Sequence, residues 1–194
     1  LKDRLGFSKV TSAATGGSAI GPDTFKFFLA MGIPLRQLYG QTELMGAYTL
    51  QKPPEGEMDC ETVGIPFPDC QIKILNPDAN GMGEIVTKHP YMFSGYYNNK
   101  KAFKESIKNG WMHTGDAGFL DKNNRLTVID RVDDIATKSD GIKFSPQNIE
   151  NKLKFSPYVG EAVILGSKKP YLTAIICIRF SIVSKLAEKW QLPF

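Results

Sequence analysis

The apolar positions change period along the chain, and each change marks a new kind of element. Near the start, "FSKVTSA" (7–13) is a short alternating run that predicts a strand, followed by the glycine loop of "TGGS" (15–18). "GPDTFKFFLAMG" then places Phe25, Phe28 and Leu29 at i, i+3 and i+4, the stripe of a helix packed on a core. Pro22 stands at its first position and Gly32 beyond its end. "PLRQLY" (34–39) predicts the next strand, so the chain has an α/β rhythm up to about residue 50.

From residue 51 the period shortens. "KPPEGEMDCE" is a Pro- and acid-rich loop, and short strands follow it. "CQIKIL" and "GEIVTK" flank the turn-rich "NPDANGMG", and "GFL" and "RLTVID" flank "DKNN", two hairpin signals. One helix, "KKAFKESIK" (100–108), interrupts them and is expected to close at Asn109-Gly110. This block predicts a small antiparallel sheet or barrel.

Beyond Asp130, "RVDDIATKSDGIK" is polar and reads as irregular. A domain boundary is expected at Arg131 to Asp134, with a large-domain portion over 1–131 and a hinge plus small domain over 132–194. The small domain should hold a helix capped by Ser145, with Pro146 first and Ile149 and Leu153 on its apolar face. A hairpin of "EAVILG" and "YLTAIICI" comes next, then an amphipathic helix with Ile182, Leu186 and Trp190 at i, i+4 and i+8. No internal repeat or low-complexity segment is visible.

Composition narrows the classes. With 194 residues, 42% hydrophobic and 23% charged, the chain is a folded protein of one domain, or one domain plus part of another. A net charge of +4 is too small, and its lysines too scattered, to suggest nucleic acid. Lys100-Lys101 and Lys168-Lys169 read as solvated surface. Cys60, Cys70 and Cys177 form no CxxC pair and are odd in number, so reduced thiols and a cytoplasmic location are expected. No apolar run approaches the roughly 20 residues of a membrane span, and no secretory signal is visible. The chain opens at Leu1 rather than Met, which suggests sequence upstream.

The candidate chemistry centres on "YGQTE", Tyr39 to Glu43, at the expected end of a strand, where α/β proteins dock ligands. Gly40 reads as a flexible joint. The Thr42 hydroxyl can bond a phosphate oxygen, and the Glu43 carboxylate can hold the Mg²⁺ that accompanies nucleotide phosphates. Taken alone, these five residues read as an ordinary turn. Two companions change that. Asp116, in "GWMHTGD", follows a glycine at what reads as a strand edge, where its carboxylate can accept hydrogen bonds from a ribose diol. Arg131 ends a strand and can reach the same sugar. The three features in this order point to a nucleotide site.

These motifs resemble the adenylate-forming superfamily: acyl-CoA synthetases, adenylation domains of peptide synthetases, and beetle luciferase. The resemblance covers essentially the whole chain. It implies an α/β fold, namely the C-terminal part of the large core, with a mixed sheet piece and a small antiparallel β subdomain, followed by an incomplete small α+β domain. The family's YGxTE motif implies Tyr39 and Gly40 on the adenine side, Thr42 on the phosphate and Glu43 on Mg²⁺, the last two catalytic. Its GWxxTGD motif matches Gly110 to Asp116 and implies Asp116 on the ribose hydroxyls. "IDRVDD" implies Arg131 against the ribose and Asp133 as the hinge. Gly16, Gly17 and Ser18 correspond to the adenine-side loop, because no Lys follows them as it does in the family's phosphate loop. Gly141 falls in the loop that lines the pantetheine tunnel in the thioester-forming state. Asp140 stands where a second glycine is often found. His113, Glu84 and Tyr96 read as structural.

The phosphate loop is expected upstream, and "WQLPF" ends before the loop that carries the family's catalytic lysine. Lys185 and Lys189 read as solvated. An internal fragment, inactive by itself, is the expectation. The spacing from Arg131 to Gly141, with "KFSPQNIE" and "KPYLTAIICI", resembles long-chain and bubblegum-type fatty acyl-CoA synthetases. The resemblance thus implies fatty acid, ATP and coenzyme A as substrates, with AMP released and Mg²⁺ as cofactor. Peripheral membrane association of the full-length enzyme is a further expectation. An acyl-AMP ligase that loads a carrier protein, or an inactive nucleotide-binding relative, stand as alternatives.

Overall fold

The computed structural model describes residues 1–17, 20–52 and 59–192. They divide into two compact units, Leu1–Val132 and Asp133–Phe194.

The first unit opens with β1 (Ala13–Thr15), α1 (Pro22–Ala30) and β2 (Leu35–Gln41), with β1 and β2 parallel. Phe25 is fully buried against Ile33 and Leu35, and Phe28 and Leu29 pack beside them, as the helical spacing predicts. The expected strand over 7–13 is not formed there; pairing begins only at Ala13. Phe7 and Val10 spend their apolar side chains on the Phe25 cluster, from a stretch of turns.

β2 continues through Tyr39, Gly40 and Gln41, past its expected end, into a single 3₁₀ turn, Thr42–Leu44. β3 (Gly46–Leu50) and β4 (Ile65–Pro66) complete a four-stranded sheet in the order β1-β2-β3-β4. Gly40 is not a flexible joint. It pairs with Ala47 where the register shifts, and a Cβ on it would lie 2.0 Å from the Gly46 carbonyl oxygen. The close approach of β3 excludes any side chain.

A second, five-stranded sheet follows. It contains β5 (Gln71–Leu75) and β6 (Gly83–Lys88); then, after α2 (Lys100–Ser106), β7 (Ile107–Lys108), β8 (Trp111–Leu120) and β9 (Leu126–Arg131). All its pairings are antiparallel. The helix α2 stops two residues short of the expected end. Asn109 and Gly110, at φ 53° and 75°, make the two-residue turn of the β7–β8 hairpin instead of closing a helix. β8 is the central strand, with β6 along one side and β7 and β9 along the other, so Asp116 lies inside the sheet rather than at an edge.

A 3₁₀ turn, Val132–Asp134, leads into the second unit. The stretch expected to be irregular there forms a small hairpin, β10 (Ala136–Thr137) and β11 (Lys143–Phe144), with Gly141 in its turn. α3 (Pro146–Lys154) starts where predicted: the Ser145 Oγ accepts the Asn148 N–H at 2.8 Å. β12 (Val159–Leu165) and β13 (Thr173–Ile178) pair antiparallel, and α3 packs on β12. Ala162 and Ile164 are the buried positions of β12. In α4 (Phe180–Lys189) the expected stripe is only partly covered: Leu186 is half-buried, Ile182 and the C-capping Trp190 are 37% and 61% exposed, and Ala187 is the buried residue.

Candidate nucleotide site

The site begins with an irregularity in β8. Four steps along β8, from His113 to Ala117, oppose only two along β6, from Glu84 to Val86. The surplus buckles out at Thr114, Gly115 and Asp116, with Gly115 in the left-handed region at φ 70°. Such bulges re-aim side chains that a regular strand would bury or expose in alternation. Thr114 pins the bulge. Its Oγ1 donates to the Ile85 carbonyl at 2.6 Å and accepts the Asp116 N–H at 3.1 Å.

Asp116 is thereby held almost out of water, 8% exposed, and a buried carboxylate must be compensated. Three side chains do so. Arg131, its direct partner on β9, donates from Nη1 to Oδ1 at 2.8 Å. Gln41 donates from Nε2 to Oδ2 at 3.0 Å, and the Tyr39 hydroxyl donates to the same oxygen. Gln41 and Arg131 also each reach the Thr114 carbonyl, at 3.1 and 3.2 Å. Burial, and then the charge of Asp116, push the Tyr39 phenol well above its ordinary range. It stays a neutral donor.

The second half of the site follows β2. Thr42 and Glu43 open the 3₁₀ turn, which Met45 closes in the left-handed conformation at φ 62°. The Glu43 Oε1 accepts the Tyr96 hydroxyl at 2.7 Å, and the Glu43 carbonyl accepts the Phe93 N–H at 2.9 Å. Burial, and then the bond to Glu43, raise the Tyr96 phenol as well. His113 lies 3.0 Å from a Glu84 oxygen through Nδ1, and the other Glu84 oxygen accepts the Gly115 N–H at 3.4 Å. Between these groups lies a cavity of about 460 Å³, lined by Gln41, Thr42, Glu43, Tyr96, His113, Gly115 and Arg131 among others. That volume is of the size taken by cofactor-sized ligands.

The structure therefore gathers Tyr39, Gly40, Thr42, Glu43, Asp116 and Arg131 in one region of the first unit. Of these, Thr42, Glu43 and Arg131 line the cavity, while Tyr39, Gly40 and Asp116 lie behind its wall. Gly16 and Gly17 follow β1 and do not line it; Ser18 lies outside the described residues. Asp133 opens the second unit and Gly141 sits on its hairpin. Sequence reasoning missed Gln41. On a strand, residues two apart share a face, so Tyr39 and Gln41 both point to Asp116; ending β2 at Tyr39 hid that signal. Tyr96 was read as structural because nothing local ties it to Glu43, 53 residues away.

Among the described residues, no three His, Cys, Asp or Glu side chains come together as a metal cage. Glu43 is a lone carboxylate beside a hydroxyl donor. That fits Mg²⁺, which binds through one or two carboxylates and takes its remaining ligands from phosphates and water.

The AMP-binding enzyme family matches residues 2–97, and its C-terminal domain matches residues 133–190. The chain belongs to the adenylate-forming, AMP-binding enzyme family. It is 30% identical over 190 residues to the long-chain-fatty-acid–CoA ligase ACSBG2 of Xenopus laevis, covering 97% of this chain and 25% of that protein. The o-succinylbenzoate CoA synthetase MenE of Bacillus subtilis, solved with the acyl-adenylate intermediate OSB-AMP, superposes with a TM-score of 0.78 at 25% identity, over 94% of this chain and 40% of that one. The same enzyme with ATP and magnesium ion gives 0.74 at 29% identity, over 86% and 36%. The chain spans about a quarter of the length of the curated relatives it matches, and its mixed α/β fold corresponds to the C-terminal part of adenylate-forming enzymes.

Proposed function

We propose that this chain belongs to an AMP-forming fatty acyl-CoA synthetase. In the first half-reaction a fatty carboxylate oxygen attacks the α-phosphorus of ATP, the bond to the β-phosphate breaks, and pyrophosphate leaves. In the second, the coenzyme A thiolate attacks the acyl carbon and AMP leaves. The observation that carries the reading is the cavity lined by Thr42, Glu43, Gln41 and Arg131, the last two bonded to the buried Asp116 carboxylate behind it. The choice of fatty acid is supported by relatives named as long-chain-fatty-acid–CoA ligases.

In this reading Asp116 accepts from a ribose hydroxyl with the lone pair that its three donors leave. Arg131 holds that carboxylate and meets the sugar beside it. Thr42 donates to a phosphate oxygen, and Tyr39 with Gly40 and the Gly16-Gly17-Ser18 loop takes the adenine side. Negative charge gathers on oxygen in both transition states, so fixed donors do most of the protein's work. Glu43 would hold Mg²⁺, which when bound neutralises phosphate charge.

Asp133 is assigned as the hinge between half-reactions, and the division into units between Val132 and Asp133 supports it. Gly141 is assigned to the pantetheine path. Its neighbour Asp140 is paired with the Lys138 ammonium at 2.7 Å, and that bond holds its carboxyl below the usual range. A compensated charge is compatible with a thioester path beside it.

The test uses the full-length protein with ATP, Mg²⁺, palmitate and coenzyme A. Pyrophosphate, AMP and palmitoyl-CoA should form in equal amounts, and acyl-AMP should accumulate when coenzyme A is omitted. Acyl-AMP that is handed only to a carrier protein would move the reading to the ligase alternative. No pyrophosphate with any fatty acid would overturn it.

A further inference from the structure

Glu43 is not left to find its own orientation. Its turn is tied to the loop before α2 at two points: Phe93 N–H to the Glu43 carbonyl, and the Tyr96 hydroxyl to Oε1. Tyr96 is itself held. Its ring packs edge-on against Phe93 at 4.8 Å between centroids, and Phe93 packs likewise against Phe103 of α2 at 5.3 Å. The Tyr96 carbonyl accepts the Asn99 N–H, and Asn99 in turn caps α2 through the Ala102 N–H at 3.1 Å. The hydroxyl is thus delivered to one carboxylate oxygen from a rigid aromatic stack, and a donor on Oε1 directs the other oxygen elsewhere. A glutamate carries three rotatable bonds, so an unrestrained one at an open cavity would sample many directions.

We infer that Tyr96 is a positioning residue for a divalent cation: by bonding Oε1 it orients Glu43 so that Oε2 meets the metal carried by a nucleoside triphosphate. The inference rests on the proposed role of Glu43. Partners that orient a metal ligand typically change metal affinity by about ten-fold or more when removed. Tyr96 stands at the lower end, because it is 36% exposed and water can replace part of its bond.

The readout is the gain in ATP affinity that Mg²⁺ brings, measured by calorimetry on the full-length protein without any carboxylate substrate, so that no turnover occurs. Tyr96→Phe keeps the aromatic stack and removes only the hydroxyl. It should lower the Mg²⁺ gain by about ten-fold, the lower end of the range for partners of a metal ligand, and leave metal-free ATP binding unchanged. Glu43→Gln should abolish the gain. In the Glu43→Gln background, Tyr96→Phe should have no further effect, because the path it acts through is gone. Free Mn²⁺ signal in an electron paramagnetic titration should follow the same order. If Glu43→Gln keeps the full gain, the metal role of Glu43 falls, and this inference with it. If Glu43→Gln abolishes the gain but Tyr96→Phe keeps it, or weakens metal-free binding equally, Tyr96 is only a structural member of its loop.

Discussion

Asp116 and Arg131 lie directly opposite each other on β8 and β9, and their side chains close an ion pair at 2.8 Å on the strand bulge that carries Thr114. The pair is lopsided: the carboxylate is 11% exposed and the guanidinium 58%. Water can take up much of the guanidinium's own charge, but the carboxylate stays buried and must keep its donors. Arg131→Gln leaves it with neutral donors, so stability should fall by about 1–3 kcal/mol, and ATP binding should weaken roughly ten-fold, the scale of one charge-assisted bond. A large loss of stability with ATP affinity intact would assign the pair to folding alone.

The bulge makes its own prediction. Gly115 adopts φ 70°, and a Cβ there would sit 3.3 Å from Arg131 Nη2. Gly115→Ala should cost about 1–2 kcal/mol of stability from the left-handed backbone, and crowd the guanidinium that holds Asp116. Urea denaturation gives the first number. The second appears as a drop in ATP affinity smaller than that of Arg131→Gln, since the guanidinium is crowded but its charge is kept.

The elements that could be read from sequence are those whose signals are local. Pro22 with Phe25 and Phe28 defines α1, Ser145 with Pro146 starts α3, and the alternating runs on either side of "NPDANGMG" become β5 and β6. The site motifs were legible for a similar reason, since each sits within a few residues. What escaped depends on partners far along the chain. The β8 bulge exists because Glu84 and Val86 set a register that the two extra residues cannot join. Gln41 gains its role only from Asp116, 75 residues on, and Gly40 its necessity only from the backbone of β3. In α4 the apolar spacing marks Ile182, Leu186 and Trp190, yet it is Ala187 that is buried, which no local signal marks.

Below the site, Tyr48 is 1% exposed and packs edge-on against the Tyr39 ring at 5.0 Å. Burial first, and the neighbouring Tyr39 next, raise its phenol above the ordinary value of 10.0. A folded-state value above the unfolded one means that the fold favours the neutral phenol. Its contribution is complete below about pH 10, the ordinary tyrosine value, and is lost as pH rises from there through the folded value. Tyr48→Phe removes the titrating group and keeps the ring. Unfolding free energy measured against pH should fall less steeply above pH 10 in the variant than in the parent. Equal slopes would show that Tyr48 does not contribute to alkaline unfolding.

Asp133, where the second unit begins, is tested by fixing its backbone. Proline locks φ near −65° and removes the N–H, so a residue that must change its backbone angles between half-reactions cannot do so as proline. In the full-length protein Asp133→Pro should impair thioester formation far more than acyl-AMP formation. Rapid-quench measurement of each half-reaction separates the two, and equal losses in both would remove Asp133 from the hinge role.

The ribose assignment of Asp116 has the sharpest test. Its carboxylate already accepts from Arg131, Gln41 and Tyr39, so its direction is set before any ligand arrives. A carboxylate has about four lone-pair sites, so three donors leave one for a ribose hydroxyl. A hydrogen bond to a charged group contributes about 1.5–3 kcal/mol. Asp116→Ala in the full-length protein should then weaken ATP binding by roughly ten- to a hundred-fold, with part of the loss in turnover if the sugar places the α-phosphate. Because alanine also leaves Arg131 and Gln41 without their acceptor, affinity alone is ambiguous, and the ligand must be varied too. The parent protein should discriminate against 2′,3′-dideoxy-ATP, which lacks both hydroxyls, whereas Asp116→Ala should bind it and ATP nearly alike. Should the variant keep the parent's preference, the ribose is held by another group, and Asp116 serves only to pin the bulge.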